Sequence, residues 1–103
     1  MSYIKYKTFF NAFTNHTRFE IIKVLRKGQR NVGEIVKETG FEQSRVSHNL
    51  KRLECVGFVK CKYVGKNRVY WLDKDMIDII NNIEKYVEKY DKVLKVCFLK
   101  VKK

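Results

Sequence analysis

From Phe41 to Leu53 the apolar residues recur at helical spacing. At ~100° per residue Val46, Leu50 and Leu53 share one side, while Ser44, His48, Lys51 and Arg52 fall roughly opposite. One face can anchor, and the other is short, polar and cationic. Upstream, Ile4, Phe9, Phe10 and Phe13 stand among polar residues, which predicts a short amphipathic helix over 3–13. Thr14 or Asn15 can cap a second helix, because their side-chain oxygens accept from first-turn amides. Phe19, Ile22, Val24 and Leu25 supply its apolar side and Gly28 its stop. Asn31 caps a third helix through Lys37, with Val32, Ile35 and Val36 inward and Gly40 at its end.

The turn Thr39-Gly40-Phe41 is so short that the third and fourth helices form a helix-turn-helix, over about 31–57. Gly57 ends the fourth helix. Phe58, Val59, Cys61, Tyr63 and Val64, then Val69, Tyr70, Trp71 and Leu72, are two β-rich runs around Gly65-Lys66-Asn67-Arg68. They predict a hairpin with a basic tip, a wing over 58–72. From Asp75 onward Met76, Ile80, Ile83, Val87, Tyr90, Leu94, Cys97 and Val101 alternate spacings of four and three, a heptad seam. A small domain has nothing of its own length to cover that stripe. A second copy of the chain is the expected cover, with the helix over 75–99 and Phe9 and Phe13 of the first helix at the interface.

These elements predict one domain over 1–103, mainly α with a small β-hairpin, in the order α-α-α-α-β-β-α: a winged helix-turn-helix, dimeric through its terminal helices. A chain of 103 residues buries only about 60 to 70% of its unfolded surface, too little for a large cofactor cavity. No cofactor and no small-molecule ligand are expected.

Charge sharpens the picture. Lys and Arg number 23 against 11 acids, a net +12 that favours a polyanionic partner. Residues 1–41 carry a net +5, 42–68 +5, 69–88 −3 and 89–103 +5, so one late acidic segment lies between basic neighbours. The N-terminus lacks the apolar run and cleavage site of a signal peptide, and no stretch approaches ~18 uncharged apolar residues. A soluble, cytoplasmic protein without a membrane partner is the expectation. Cys55, Cys61 and Cys97 are odd in number and show no CxxC spacing, which argues against a disulfide framework or a pre-set zinc site. Buried, inert thiols are expected, although Cys55 and Cys61 are near enough in the predicted fold to approach one another.

The chemistry that remains is recognition of double-stranded DNA. A polar-faced helix is what the major groove admits, with small residues near its start for base edges and cations further on for phosphates. The candidate contacts are Gln43, Ser44, Ser47, His48 and Lys51 on the exposed face, Arg45 and Arg52 at its flanks, and Lys62, Lys66 and Arg68 in the wing. His16 reads as a local capping or core residue. There is no nucleophile motif, no P-loop, no apolar pair of carboxylates and no metal-binding cluster, so an enzyme is not expected.

Particular residues narrow the reading. Asn15-His16-Thr17-Arg18-Phe19-Glu20-Ile21-Ile22 resembles the D-P-T-R-x-x-I-L second helix of the arsenic-repressor (ArsR-like) family of winged-helix regulators. Gln43-Ser44-Arg45-Val46-Ser47-His48-Asn49-Leu50-Lys51-Arg52-Leu53 is similar to that family's Q-S-x-V-S-x-H-L-x-x-L recognition helix, with the histidine one place earlier. Gly57-Phe58-Val59, Gly65-Lys66 and Val69-Tyr70-Trp71-Leu72 match its helix end, wing and second wing strand, so the likeness runs from about 9 to 88. It implies a homodimer, DNA binding and transcriptional control, and repression by promoter occupancy is the expected function. Metal sensing by the usual ligands is not implied. Asn31-Val32-Gly33-Glu34-Ile35 replaces the Cys-x-Cys box, and the last helix has no His. Two other classes stay open: an architectural, chromatin-like protein that coats DNA without reading it, and a protein-protein interaction module built on the heptad seam.

Overall fold

In the computed structural model, residues 2–91, 93 and 95 are described. The chain divides into two units, one ending at Asp73 and the other starting at Lys74. The first holds α1 (Tyr3–Thr14), α2 (His16–Arg26), β1 (Arg30–Asn31), α3 (Val32–Thr39), α4 (Gln43–Cys55), β2 (Val59–Val64) and β3 (Asn67–Leu72), and the second begins with α5 (Lys74–Lys89).

Each helix starts and stops for a local reason. Asn15 rather than Thr14 caps α2, its side chain accepting from the Arg18 amide at 3.1 Å. Asn31 and Glu34 form a reciprocal capping box at the head of α3: the Glu34 amide donates to Asn31 Oδ1 at 2.8 Å and the Asn31 amide to Glu34 Oε1 at 2.9 Å. Gly40 ends α3 at φ 75°, a left-handed conformation that costs a side chain but not glycine. Its amide bonds the Val36 carbonyl, and two residues later α4 is set up.

The first unit's core lies where α2, α3, α4 and the sheet meet. Ile21, Ile35, Val46, Leu50, Leu53 and Val59 are its fully buried side chains. At helical spacing Val46, Leu50 and Leu53 give α4 one apolar side, as the pattern predicts. Phe19, predicted to be inward, is instead 47% exposed beneath the Lys23 ammonium, and Ile21 takes the inward position. Phe9 and Phe13, predicted for a dimer contact, are half-buried and spend their rings on Phe58 of the same chain, at 5.1 and 5.3 Å between centroids. The exposed aromatic residues of α1 are Tyr3, Tyr6 and Phe10.

The sheet has three antiparallel strands in the order β1-β3-β2. In the hairpin Val59 pairs with Leu72 and Val64 with Asn67, around the turn at Gly65-Lys66. The added strand β1 pairs Arg30 with Tyr70 and Asn31 with Val69. Element order is therefore α-α-β-α-α-β-β-α rather than α-α-α-α-β-β-α. Two residues are too few for an alternating pattern, and Asn31 reads first as a helix cap.

In the second unit, Met76 is buried, Ile80 and Tyr90 are half-buried, and Ile79, Ile83, Tyr86, Val87 and Val93 are exposed. Met76 is thus buried already in the single chain, and the stripe left open on α5 starts at Ile79. Leu94, Cys97 and Val101 of the predicted seam lie outside the described residues. Among the described residues no helix is long and apolar enough to cross a membrane.

Candidate nucleic-acid interface

The exposed face of α4 presents Gln43, Ser44, Ser47, His48, Lys51 and Arg52 to solvent. None of these six side chains has a hydrogen bond or ion pair with another described residue, so the face is free to bond an external partner. At 1.5 Å of rise per residue Ser44 and Arg52 lie about 12 Å apart along the axis, which separates a short polar patch from a cationic one. The N-cap Glu42 makes no side-chain cap bond. Amides of the first turn of α4 therefore stay open to an acceptor, where the helix dipole favours negative charge.

What aims that face is a network that sequence reasoning missed. Asn49 is a buried polar residue on the apolar side of α4, and its Nδ2 donates to the Arg45 carbonyl at 2.8 Å. Its Oδ1 accepts from Arg18 of α2 at 3.2 Å. Arg18 also donates to the carbonyls of Ala12 and Asn11 at the end of α1, at 3.3 and 2.9 Å. Arg45 Nε donates to the buried Thr17 hydroxyl at 2.8 Å, and its guanidinium lies 4.1 Å from the Phe41 ring centroid. Thr17 and Arg18 thus clamp α4 from two sides. The available signal was Asn49, a polar residue among Val46, Leu50 and Leu53. Arg45 is partly committed to this brace. His16 is exposed, with its ring edge toward Phe41 at 6.2 Å, and serves neither as a cap nor in the core.

The wing is tied to the other end of α4. Glu54 accepts from the Cys61 thiol at 2.9 Å and from Arg68 Nη2 at 3.2 Å, while Arg68 Nε donates to Cys61 Sγ at 3.1 Å. Burial, then the Glu54 bond, pushes the Cys61 thiol above its ordinary pKa, against the pull of Arg68. The Arg68 guanidinium also lies over Tyr63 and Tyr70. Its guanidinium is thus held back against Cys61 and the end of α4. Lys62 lies 5.9 Å from the Trp71 ring centroid, and Lys66 at the tip is exposed with no partner among the described residues. Cys55 is exposed and Cys61 half-buried, which corrects the expectation of buried thiols: the turn at Gly57 carries the chain from the outer end of α4 into an edge strand.

Residues 15–60, which hold α2, the helix-turn-helix and the start of the wing, match the model of the bacterial regulatory protein, arsR family. This segment resembles the helix-turn-helix of that family. The chain is similar to part of a probable mercury resistance operon repressor of Streptomyces lividans, 34% identical over 62 residues, which are 60% of this chain and 50% of that protein. An arsenical resistance operon repressor of Staphylococcus xylosus is 27% identical over 81 residues, 79% of this chain and 78% of the relative. The chain thus spans half the length of the Streptomyces relative. Among solved structures, a homodimeric winged helix-turn-helix DNA-binding domain of Mycobacterium bovis superimposes with a TM-score of 0.78 at 23% identity, over 84% of this chain and 82% of that one. The fold is that of a winged helix-turn-helix, and the matched family model is one of bacterial regulatory proteins.

The metal-resistance relatives raise the question of a metal, and the donor set does not fit one at the usual place. In α3 no cysteine is present, and the one carboxylate of its first turn, Glu34, is spent on the capping box. Among the described residues no three His, Cys, Asp or Glu side chains converge.

Proposed function

We propose that the chain is a dimeric, sequence-specific DNA-binding transcriptional regulator of the cytoplasm that represses by occupying promoter DNA. The observation that carries this reading is the unpartnered polar face of α4, aimed by Arg18, Thr17 and Asn49 and flanked by a wing whose tip presents Lys66. Ser44, Ser47 and His48 meet base edges in the major groove, and Gln43 bonds beside them at the helix start. Lys51 and Arg52 meet phosphates, with Arg45 beside them as far as its bond to Thr17 allows. Lys62 and Lys66 reach the adjacent backbone or minor groove, while Arg68 chiefly holds the wing in place.

Pairing of two copies covers the open stripe of α5, with Ile80, Ile83, Val87 and Tyr90 on the seam. Two recognition helices then enter successive major grooves about 34 Å apart, and the site they read is pseudo-palindromic. Repression is supported by the two resistance-operon repressors, and pairing by the homodimeric Mycobacterium domain. Selection of bound duplexes from a random library tests this reading. It should recover two inverted half-sites centred one helical turn apart, and recovery of unenriched sequence would contradict it.

A further inference from the structure

A cleft of about 290 Å³ opens between α1, α2 and the end of α4, lined among others by Thr8, Asn11, Arg18, Arg52 and Cys55. Its size sits at the small end of the roughly 300–1,000 Å³ typical of ligand sites. Two guanidiniums line it and no carboxylate does. Arg18 is fixed by three hydrogen bonds, to Asn49, Ala12 and Asn11, which leaves two of its five N–H donors uncommitted. The exposed Arg52 has no ion pair or hydrogen bond among the described residues, and the Asn11 side-chain amide is likewise unbonded. Like charges stand close enough to matter: burial first, and the Arg52 charge second, lower the Arg18 pKa. Cleft, donors and uncompensated charge all favour an anion.

We propose that this cleft is an oxyanion site that seats one phosphate group, with Arg18 as the fixed donor, Arg52 as the free one and Asn11 as a neutral third. A guanidinium pair suits a phosphate because each presents N–H groups in a planar fork that matches two of its oxygens. The phosphate has two sources, the backbone of a duplex lying against α4 or a free ion. In either case the ligand bonds the same guanidinium that holds Asn49, so occupancy is coupled to the aim of α4. Such a seat does not require sequence-specific recognition.

The test is a titration of the ¹⁵N-labelled full chain with inorganic phosphate at constant ionic strength, read by NMR. Saturable shifts should centre on Arg18 Nε–H and on the amides of Arg52 and Cys55. Arg52→Gln removes one charge-assisted partner from an exposed position and should weaken binding by about tenfold or more. Lys37→Gln, at an exposed cation of α3 outside the cleft lining, should leave the affinity within a factor of about two, because such a charge acts only through screened solvent. Shifts that rise without saturation, that spread over surface lysines, or that are the same in Arg52→Gln would overturn the proposal. Added duplex then separates the sources. Displacement of the cleft shifts means the seat belongs to a backbone phosphate, and their persistence means a free phosphate ligand; each supports the site. A chain that bound no duplex would refute DNA recognition and leave the phosphate titration intact.

Discussion

Arg18 and Asn49 do for α4 what its exposed residues cannot do for themselves: they fix where the helix points. Arg18→Met removes three hydrogen bonds and leaves Asn49 Oδ1 buried without its donor. A loss of about 2 kcal/mol and a fall in Tm of roughly 10 °C are expected in a thermal melt. Ser44→Ala and Ser47→Ala remove exposed hydroxyls that have no hydrogen bond among the described residues. They should leave Tm within about 1 °C, because exposed substitutions of this kind cost little. Each should nevertheless lower the preference for the operator by roughly 1–3 kcal/mol where its hydroxyl bonds a base edge, read from competition binding. Cys61 gives a pH signature. Its thiol pKa is raised on folding, so its contribution to stability is present below the ordinary thiol value near 8.5 and is lost as pH rises through the raised one. Melting temperature should therefore decline above about pH 8.5, and Cys61→Ser should flatten that decline. The exposed face of α4 was legible because helical spacing alone separates Ser44 and His48 from Val46 and Leu50. The Arg18–Asn49 bond was not, since it joins residues 31 apart in sequence and no local pattern encodes it.

At the scale of elements, the capping box at the head of α3 places the first helix of the helix-turn-helix. Asn31→Ala should cost about 1 kcal/mol, measured by denaturant unfolding, since both an amide bond and the cap geometry go. Lys66 at the wing tip has no hydrogen bond or ion pair among the described residues. Lys66→Ala should weaken binding to all duplexes alike and reduce the salt slope of log K by about 0.9 for each phosphate no longer neutralised. An unchanged slope would move the wing off the backbone. Helix limits and the hairpin were readable from caps, glycines and β-rich runs: Gly40 and Asn31 lie where their chemistry demands. The strand β1 escaped because a two-residue pairing is chosen by its partner β3. Phe19 was misplaced because periodicity cannot tell an apolar residue at a helix rim from one in the core.

For the whole molecule, a +12 charge guarantees attraction to DNA of any sequence, so affinity alone decides nothing. On the proposed function, discrimination rests on the braced face of α4 and symmetric reading on two copies. Ile83, exposed on α5, is the position at which a charge should part the copies. Ile83→Asp should shift the light-scattering mass toward the 12.4 kDa of one chain while keeping the helical circular dichroism of the first unit. A dimer unaffected by that change would place the interface elsewhere. The most direct test of the central claim is fluorescence anisotropy of the purified chain on DNA from upstream of its own gene, against random duplex at two salt concentrations. Specific recognition predicts a preference of ~10³ or more for the upstream fragment. Equal binding to both duplexes, falling steeply with salt, would contradict it and make the chain a DNA-coating protein.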